Sequence, residues 1–314
     1  MHDVLVIGEL NIDLILDDIQ GFPEIEKEIL ANRMTMTLGS SSAIFASNLS
    51  VLDTNVAFLG KIGTDLFANL VLDSLEEKGV NTDYIIKSKE HNTGATIVMN
   101  YGMERANVTF PGAMAHLTES DITDSLLRTA KHLHISSIFM QPGLKDDLIS
   151  ILRRAKLLGL TTSIDPQWDP AEKWDIDLTK LLLYVDVFLP NRQEFLHLTK
   201  CKSIAEGIDQ VRTKGTIIII KDGVNGALMW HNGKLSSHPA HVNKNVIDCI
   251  GAGDSFDAGF ISNFIKGKSH NHCLEFGIIT GAINTTAAGG TTAFKSYDQI
   301  VKLAKEKYQY NPFN

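Results

Sequence analysis

The residues best suited to chemistry lie in the stretch Asp248-Cys249-Ile250-Gly251-Ala252-Gly253-Asp254-Ser255-Phe256-Asp257-Ala258-Gly259-Phe260. Small residues at 251–253 precede apolar positions Phe256, Phe260, Ile261, Phe264 and Ile265, which have helical spacing. A glycine-rich turn at a helix start points several backbone N–H groups at one spot, and the helix dipole adds partial positive charge there. Such a turn suits a phosphate whose charge grows during transfer. Asp254, at the mouth of the turn, can accept a proton from an attacking hydroxyl. Phosphoryl transfer asks for little beyond positioning, charge neutralisation and an oriented nucleophile. The same residues also describe an ordinary helix start with Asp254 as its N-cap. The stretch is neither a P-loop nor a dinucleotide fingerprint: no G-x-x-x-x-G-K-[ST] occurs in the chain, and Phe256 stands where a third glycine would fall.

The elements that must position this turn are legible as an alternation. Strands are expected at 4–7, 55–59, 132–136, 160–164, 186–189 and 216–221, with a hairpin over 227–236. Helices are expected at 41–52, 65–78 (ending at Gly79), 121–130, 145–157, 193–199, 203–213, 255–265, 272–288 and 297–307. Strands alternating with helices imply a mostly parallel sheet covered on both faces. Extended segments near 14–36 and 95–110, the latter with a polar turn at 102–105, break the alternation. They read as a small β-rich flap built from two separated pieces of chain.

Composition sets outer bounds. The 314 residues are 44% hydrophobic and 21% charged, ordinary for a chain with a real core. The net charge of −8 disfavours nonspecific nucleic-acid binding, because phosphates are repelled rather than neutralised. Three cysteines, Cys201, Cys249 and Cys273, form no C-x-x-C pair and suggest no disulfide framework. A reducing, cytoplasmic setting is the simpler expectation. The N-terminus lacks the features of a signal peptide, and no apolar stretch has the length of a membrane span.

At the 248–254 turn the chain closely resembles the ribokinase-like, PfkB-type carbohydrate kinases, whose signature is D-T-x-G-A-G-D; Cys249 replaces the usual Thr. Other segments follow in the family's order. Gly8-Glu9-Leu10-Asn11-Ile12-Asp13 looks like the opening strand with its sugar-contacting Asn and Asp. Gly39-Ser40-Ser41-Ser42-Ala43 looks like the G-G-x-x-x-N sugar loop, with Ser40 for the second glycine and Ile44 for the Asn. Gly60 to Phe67 resembles G-x-x-G-x-D-x-F, and Gly102-Met103-Glu104-Arg105 resembles the G-E-R turn. Pro190-Asn191-Arg192-Gln193-Glu194 matches P-N-x-x-E, and Lys221 to Gly226 matches [TK]-x-G-x-x-G. Their collinearity carries the resemblance, which spans essentially the whole chain.

The resemblance implies a single α/β domain over 1–314, three-layered α/β/α, with a lid from about 12–36 and 93–112. It implies an ATP-dependent kinase acting on a hydroxyl of a small sugar, sugar acid or polyol. Asp254 would be the base, and the backbone of Gly251, Ala252 and Gly253 the anion hole. Glu194, with Asn191, would organise Mg²⁺, mainly through water, and the ATP phosphates; a capping box explains the same two residues. Lys221, Gly223 and Gly226 would line the nucleotide pocket, where a simple turn is the plainer account, and Asn284 would lie near the adenine. Asn11, Asp13, Gly39, Ser40, Ala43, Arg105 and Gln141 would face the substrate. Asp248 and the Ile250 carbonyl occupy positions that bind a monovalent cation such as K⁺ in some relatives. Lid edge strands offer a surface for a homodimer. A nucleoside or sugar-phosphate kinase of the same fold, or a noncatalytic sugar sensor, are the competing functions. His132 and His134 share a strand face but lack partners for a metal site, so core packing is expected. Trp168 and Trp174, near the family's D-P-N-like loop, read as packing residues, and Cys249 as a small buried one.

Overall fold

The computed structural model describes residues 1–101, 104–211, 215–243 and 245–310. The strands are β1 His2–Ile7, β2 Asn11–Asp17, β3 Arg33–Leu38, β4 Val56–Leu59, β5 Lys61–Ile62, β6 Ile86–Lys87, β7 Gly94–Tyr101, β8 Glu104–Phe110, β9 Ala130–Ser136, β10 Thr161–Asp165, β11 Val187–Phe188, β12 Ile217–Lys221, β13 Ala227–His231 and β14 Lys234–His238. The helices are α1 Ser41–Val51, α2 Leu66–Glu77, α3 Asp124–Leu127, α4 Pro142–Lys145, α5 Leu148–Leu157, α6 Leu178–Leu181, α7 Arg192–Thr199, α8 Ile204–Gln210, α9 Ala252–Phe264, α10 His270–Asn284 and α11 Tyr297–Tyr308.

Eight strands form one sheet in the order β14-β13-β12-β11-β10-β9-β1-β4. It is parallel from β4 to β12, and only the terminal hairpin runs antiparallel. Side chains alternate across the sheet, so a continuous apolar run feeds two cores. Val4, Val6, Val187, Ile217 and Ile219 pack with α1, α2, α9, α10 and α11. Leu5, Ile7, Phe188, Ile218 and Ile220 pack on the opposite face with α5, α7 and α8. This is the expected three-layer architecture. No helix is long and apolar enough to cross a membrane among the described residues.

A second, four-stranded sheet has the order β3-β2-β7-β8. Its register places Asp13 beside Thr96, Thr96 opposite Thr109, and Val98 opposite Asn107, so these residues share one face. The other face carries exposed Met34, Met36, Ile97, Val108 and Phe110.

Several local expectations need correction. The helix expected at 121–130 is only the single turn of α3 between a 3-10 turn and β9, because residues from Ala130 onward join the sheet. Lys145 ends the short α4, and α5 starts afresh at Leu148. Helix α10 stops at Asn284 rather than reaching Ala288. Part of the expected turn at 102–105 and the end of the helix expected at 203–213 lie outside the described residues.

Candidate active site

Helix α9 begins at Ala252, with Gly251 as its N-cap at φ 73°. Asp254 therefore sits inside the first turn and is not the cap. Gly251 is required twice over: its φ is left-handed, and a Cβ there would come within 2.7 Å of the Gly290 Cα. Ala252 N–H closes the turn onto the Cys249 carbonyl at 3.3 Å. The N–H groups of Gly253 and Asp254 remain as the open donors of the helix start among the described residues.

Asp254 is 7% exposed. Its Oδ1 accepts hydrogen bonds from Ser41 Oγ and from Gln167 Nε2 (3.0 Å). Burial pushes its pKa up to about 7, helped by the charge of Asp165 and opposed by the Ser41 hydrogen bond. A carboxyl so placed is half ionised near neutrality, which suits proton transfer from an alcohol.

Two clefts meet at this turn. The first, of about 220 Å³, is walled by Asp254, Gly251 and Ile250, by Glu9, Asn11 and Asp13 around the start of β2, and by Thr96, Arg105, Asn107 and Thr109 of the second sheet. Ser40, Ser41, Ile44 and Gln167 complete one side. Asn11 donates to Thr96 Oγ1 at 2.6 Å, and its buried Oδ1 has no partner. Burial raises the Asp13 pKa to about 6 against the pull of Arg105. Gly39 lies directly behind these two residues, where a Cβ would fall 2.2 Å from Asp13 Oδ1. Ser40 holds a left-handed φ of 69° and caps α1 by accepting the Ala43 N–H. That geometry explains why the related motif has glycine here, and the cap offsets the strain.

The second cleft, of about 290 Å³, is lined by Gly223, Val224, Gly226, Val242, Val246, Cys249, Ala252, Gly253, Phe256, Ile278 and Thr285, with Lys221 at its edge. Its wall is largely apolar. Between the clefts, Lys221 Nζ bridges Asp165 Oδ2 and Asp257 Oδ2, each at 2.9 Å. Burial alone would lower the lysine pKa, but Asp165, Asp257 and Glu194 outweigh it and hold the ammonium charged. Asn191 and Glu194 form a reciprocal capping box at the start of α7. Burial, with the charge of Asp165, pushes Glu194 up to about 8. Four carboxylates thus face one ammonium, and Asp257 Oδ1 is buried without a partner. Burial raises Glu194, Asp254 and Asp257 alike, so a hard cation bound close by would draw these carboxyls toward their ionised form. No three His, Cys, Asp or Glu side chains among the described residues could hold a metal ion by themselves, so such a cation would need ligands from elsewhere.

Some sequence-predicted residues stand outside these walls. Asn284 is fully buried on the inward face of α10, where its Nδ2 donates to the Ile250 carbonyl at 2.6 Å. Gln141 is buried and donates to the Ser136 carbonyl at 2.8 Å, because the chain turns into α4 just there and carries it behind Met140. Ala43 is buried in α1 and touches the site only through its backbone. The oxygens expected around K⁺ are already engaged: Asp248 accepts the N–H groups of Ile250 and Gly289, each at 2.9 Å. Cys249 is exposed in the second cleft rather than buried, and Trp168 is 43% exposed against buried Trp174. His132 and His134 are wholly buried and bonded to Thr161, Ser163 and Ser136.

Sequence reasoning missed Ser41, Gln167, Asp165 and Asp257. Asp257 lies three residues after Asp254, on the same helical face, and that spacing was readable. Asp165 and Gln167 belong to the D-P-N-like loop, which had been read for its tryptophans. Gln167 takes a left-handed φ of 58° that no local signal announces.

The profile of the pfkB family of carbohydrate kinases matches residues 1–296, and the chain belongs to that family. An uncharacterized sugar kinase of Archaeoglobus fulgidus is 30% identical over 236 residues, covering 74% of this chain and 92% of that protein. Arabidopsis thaliana ribokinase, solved with ribose and ATP, superposes with a TM-score of 0.84 at 22% identity over 97% of this chain and 99% of its own. A putative ribokinase II from E. coli, solved with ATP and Mg²⁺, gives 0.85 at 22% identity, with the same coverage. These two likenesses establish the fold.

Proposed function

We propose that this carbohydrate kinase transfers the γ-phosphoryl group of ATP to a hydroxyl of a small sugar or sugar-like polyol, with Asp254 as the base. One observation carries the reading: consecutive residues of a single turn face two different clefts. Ile250, Gly251 and Asp254 wall the polar one, while Cys249, Ala252 and Gly253 wall the apolar one. An alcohol in the first and a nucleotide in the second would meet at the start of α9.

Asn11, Asp13 and Thr96 would hydrogen-bond hydroxyls of the acceptor, and Ile44, Met114 and Met140 would cover its C–H face. Asp254 would take the proton as the alcohol attacks, while the N–H groups of Gly253 and Asp254 would receive the growing charge on the phosphoryl oxygens. Gly223 and Gly226 would let the backbone approach the nucleotide. Glu194 and Asn191 would hold Mg²⁺ through water, and that ion neutralises phosphate charge when bound. Lys221 would keep Asp165 and Asp257 from repelling the phosphates. The polar wall contains Glu9, Asp13 and Asp254 against one cation, Arg105, which favours an uncharged polyol over a sugar phosphate.

The second sheet would act as the lid that excludes water from the transfer. Its exposed Met34, Met36, Ile97 and Val108 support pairing of two copies through the lid. Light scattering on the wild type and on Ile97→Lys tests that pairing, with dimer expected in the first and monomer in the second. ADP release measured across sugars, sugar acids, nucleosides and sugar phosphates tests the activity. Turnover is expected with an uncharged sugar, whereas sugar binding without ADP release would leave a sensor.

A further inference from the structure

Beneath the 250–253 turn lies a set of contacts that the transfer chemistry does not use. Asn284 is 0% exposed. Its Nδ2 meets the Ile250 carbonyl at 2.6 Å. The contacting atom must be the amide nitrogen, since two carbonyl oxygens that close would repel each other. Asp248 ties the same turn to the glycine pair that follows α10, accepting Ile250 N–H with one oxygen and Gly289 N–H with the other, both at 2.9 Å. Asn48 Nδ2 completes the frame by donating to the Gly290 carbonyl and to Ser255 Oγ, each at 2.9 Å. Gly290 in turn abuts Gly251.

A monovalent cation in this place would gather the Ile250 carbonyl and the Asp248 carboxylate and so fix the turn. Here a buried side-chain amide donates to the carbonyl and two backbone N–H groups donate to the carboxylate, one to each oxygen, while Asn284 Oδ1 is buried without a partner. We infer that the Asn284 amide performs the task a bound monovalent cation would perform, so that phosphoryl transfer by this chain does not depend on K⁺. Asn284 is then a positioning residue: it touches no substrate and acts by fixing the carbonyl that immediately precedes Gly251. The inference rests on the reading of the α9 turn as the phosphate cradle.

The test compares KCl with choline chloride at equal ionic strength, for the wild type and for Asn284→Asp. The wild type should change in kcat by less than about threefold between the two salts, and its melting temperature should not respond to K⁺ specifically. Asn284→Asp sets a carboxylate against the Ile250 carbonyl, a repulsion that a bridging cation relieves. That variant should gain about tenfold or more in kcat with K⁺ and melt higher in KCl than in choline chloride. Wild-type activation of about threefold or more, or anomalous density for Rb⁺ against the Ile250 carbonyl in wild-type crystals, overturns the inference. So does a folded Asn284→Asp whose rate and melting temperature are the same in both salts. If the variant does not fold, the wild-type measurements decide alone. Should no acceptor be phosphorylated at all, the kinase reading fails, while the melting and Rb⁺ measurements still answer the cation question.

Discussion

The two clefts that meet at the start of α9 are built by opposite means. The polar one is assembled from remote pieces: the start of β2, the loop before α1, alternate residues of β7 and β8, and Gln167. On the proposed reading its recognition would be directional, through Asn11, Asp13, Thr96 and Thr109. The apolar one draws on the glycine turn after β12, the approach to α9, and the facing sides of α9 and α10. It offers Val224, Val242, Val246, Phe256 and Ile278 as surfaces for a flat ring. On the proposed reading, the contrast marks where acceptor specificity would separate from nucleotide binding. A hydroxyl-rich ligand needs fixed donors and acceptors, because a buried polar group left unpaired costs about 1–3 kcal/mol. A base held by stacking and backbone contacts tolerates a plainer wall.

Substitutions can break this division, and the largest effect should fall on the turn itself. Asp254→Asn removes the proposed base while Oδ1 still accepts from Ser41 and Gln167, so kcat should fall by about 10²–10⁴ with little change in ligand-induced melting shifts. The same change should stabilise the apo protein. A carboxyl whose folded pKa lies above its unfolded value makes wild-type stability fall as pH rises toward about 7. The Asn variant escapes that loss, so its advantage, up to about 4 kcal/mol, should be full above pH 7 and shrink as pH falls toward 4. Urea unfolding at several pH values measures it. Lys221→Met leaves Asp165 and Asp257 buried without their cation and should cost about 3–5 kcal/mol, read as a lower denaturation midpoint. It would damage both clefts together.

Smaller changes should separate the clefts. Asn11→Ala should raise the KM for the sugar about tenfold and leave the KM for ATP unchanged, as steady-state kinetics can show. An equal rise in both would dissolve the distinction. Ser40→Gly relieves a left-handed serine but deletes its cap on α1 and its bond to the Glu9 carbonyl, so stability should stay within about 1 kcal/mol of wild type.

The same contrast governs how much the sequence reveals. The turn and the glycine-rich part of the apolar cleft are written in contiguous residues, 221–226 and 248–256, whose glycines have local reasons to exist, while Val242, Val246 and Ile278 join the wall only in the fold. The parallel sheet was legible too, because uninterrupted runs such as Ile217 to Ile220 are buried on both faces. The polar cleft was only partly legible. The family resemblance singles out Asn11 and Asp13, but Thr96 and Thr109 acquire meaning only from the β7–β8 register, and Gln167 only from a backbone turn. The resemblance implies Asn284 near the adenine, and helix phase turns its amide inward to the Ile250 carbonyl. The helix expected at 121–130 failed because apolar spacing in a short segment does not reveal where the next strand begins.

The central claim is that a buried carboxyl, held near neutrality, removes the acceptor's proton. The pH dependence of kcat/KM for the preferred sugar, taken from about pH 5 to 9 in the wild type and in Asp254→Asn, tests it most directly. The wild-type value should fall about tenfold per unit below a pKa near 7 and level off above it, while the residual rate of the variant should lack that limb. A wild-type profile flat down to pH 5, or the same limb persisting in the variant, would contradict the assignment.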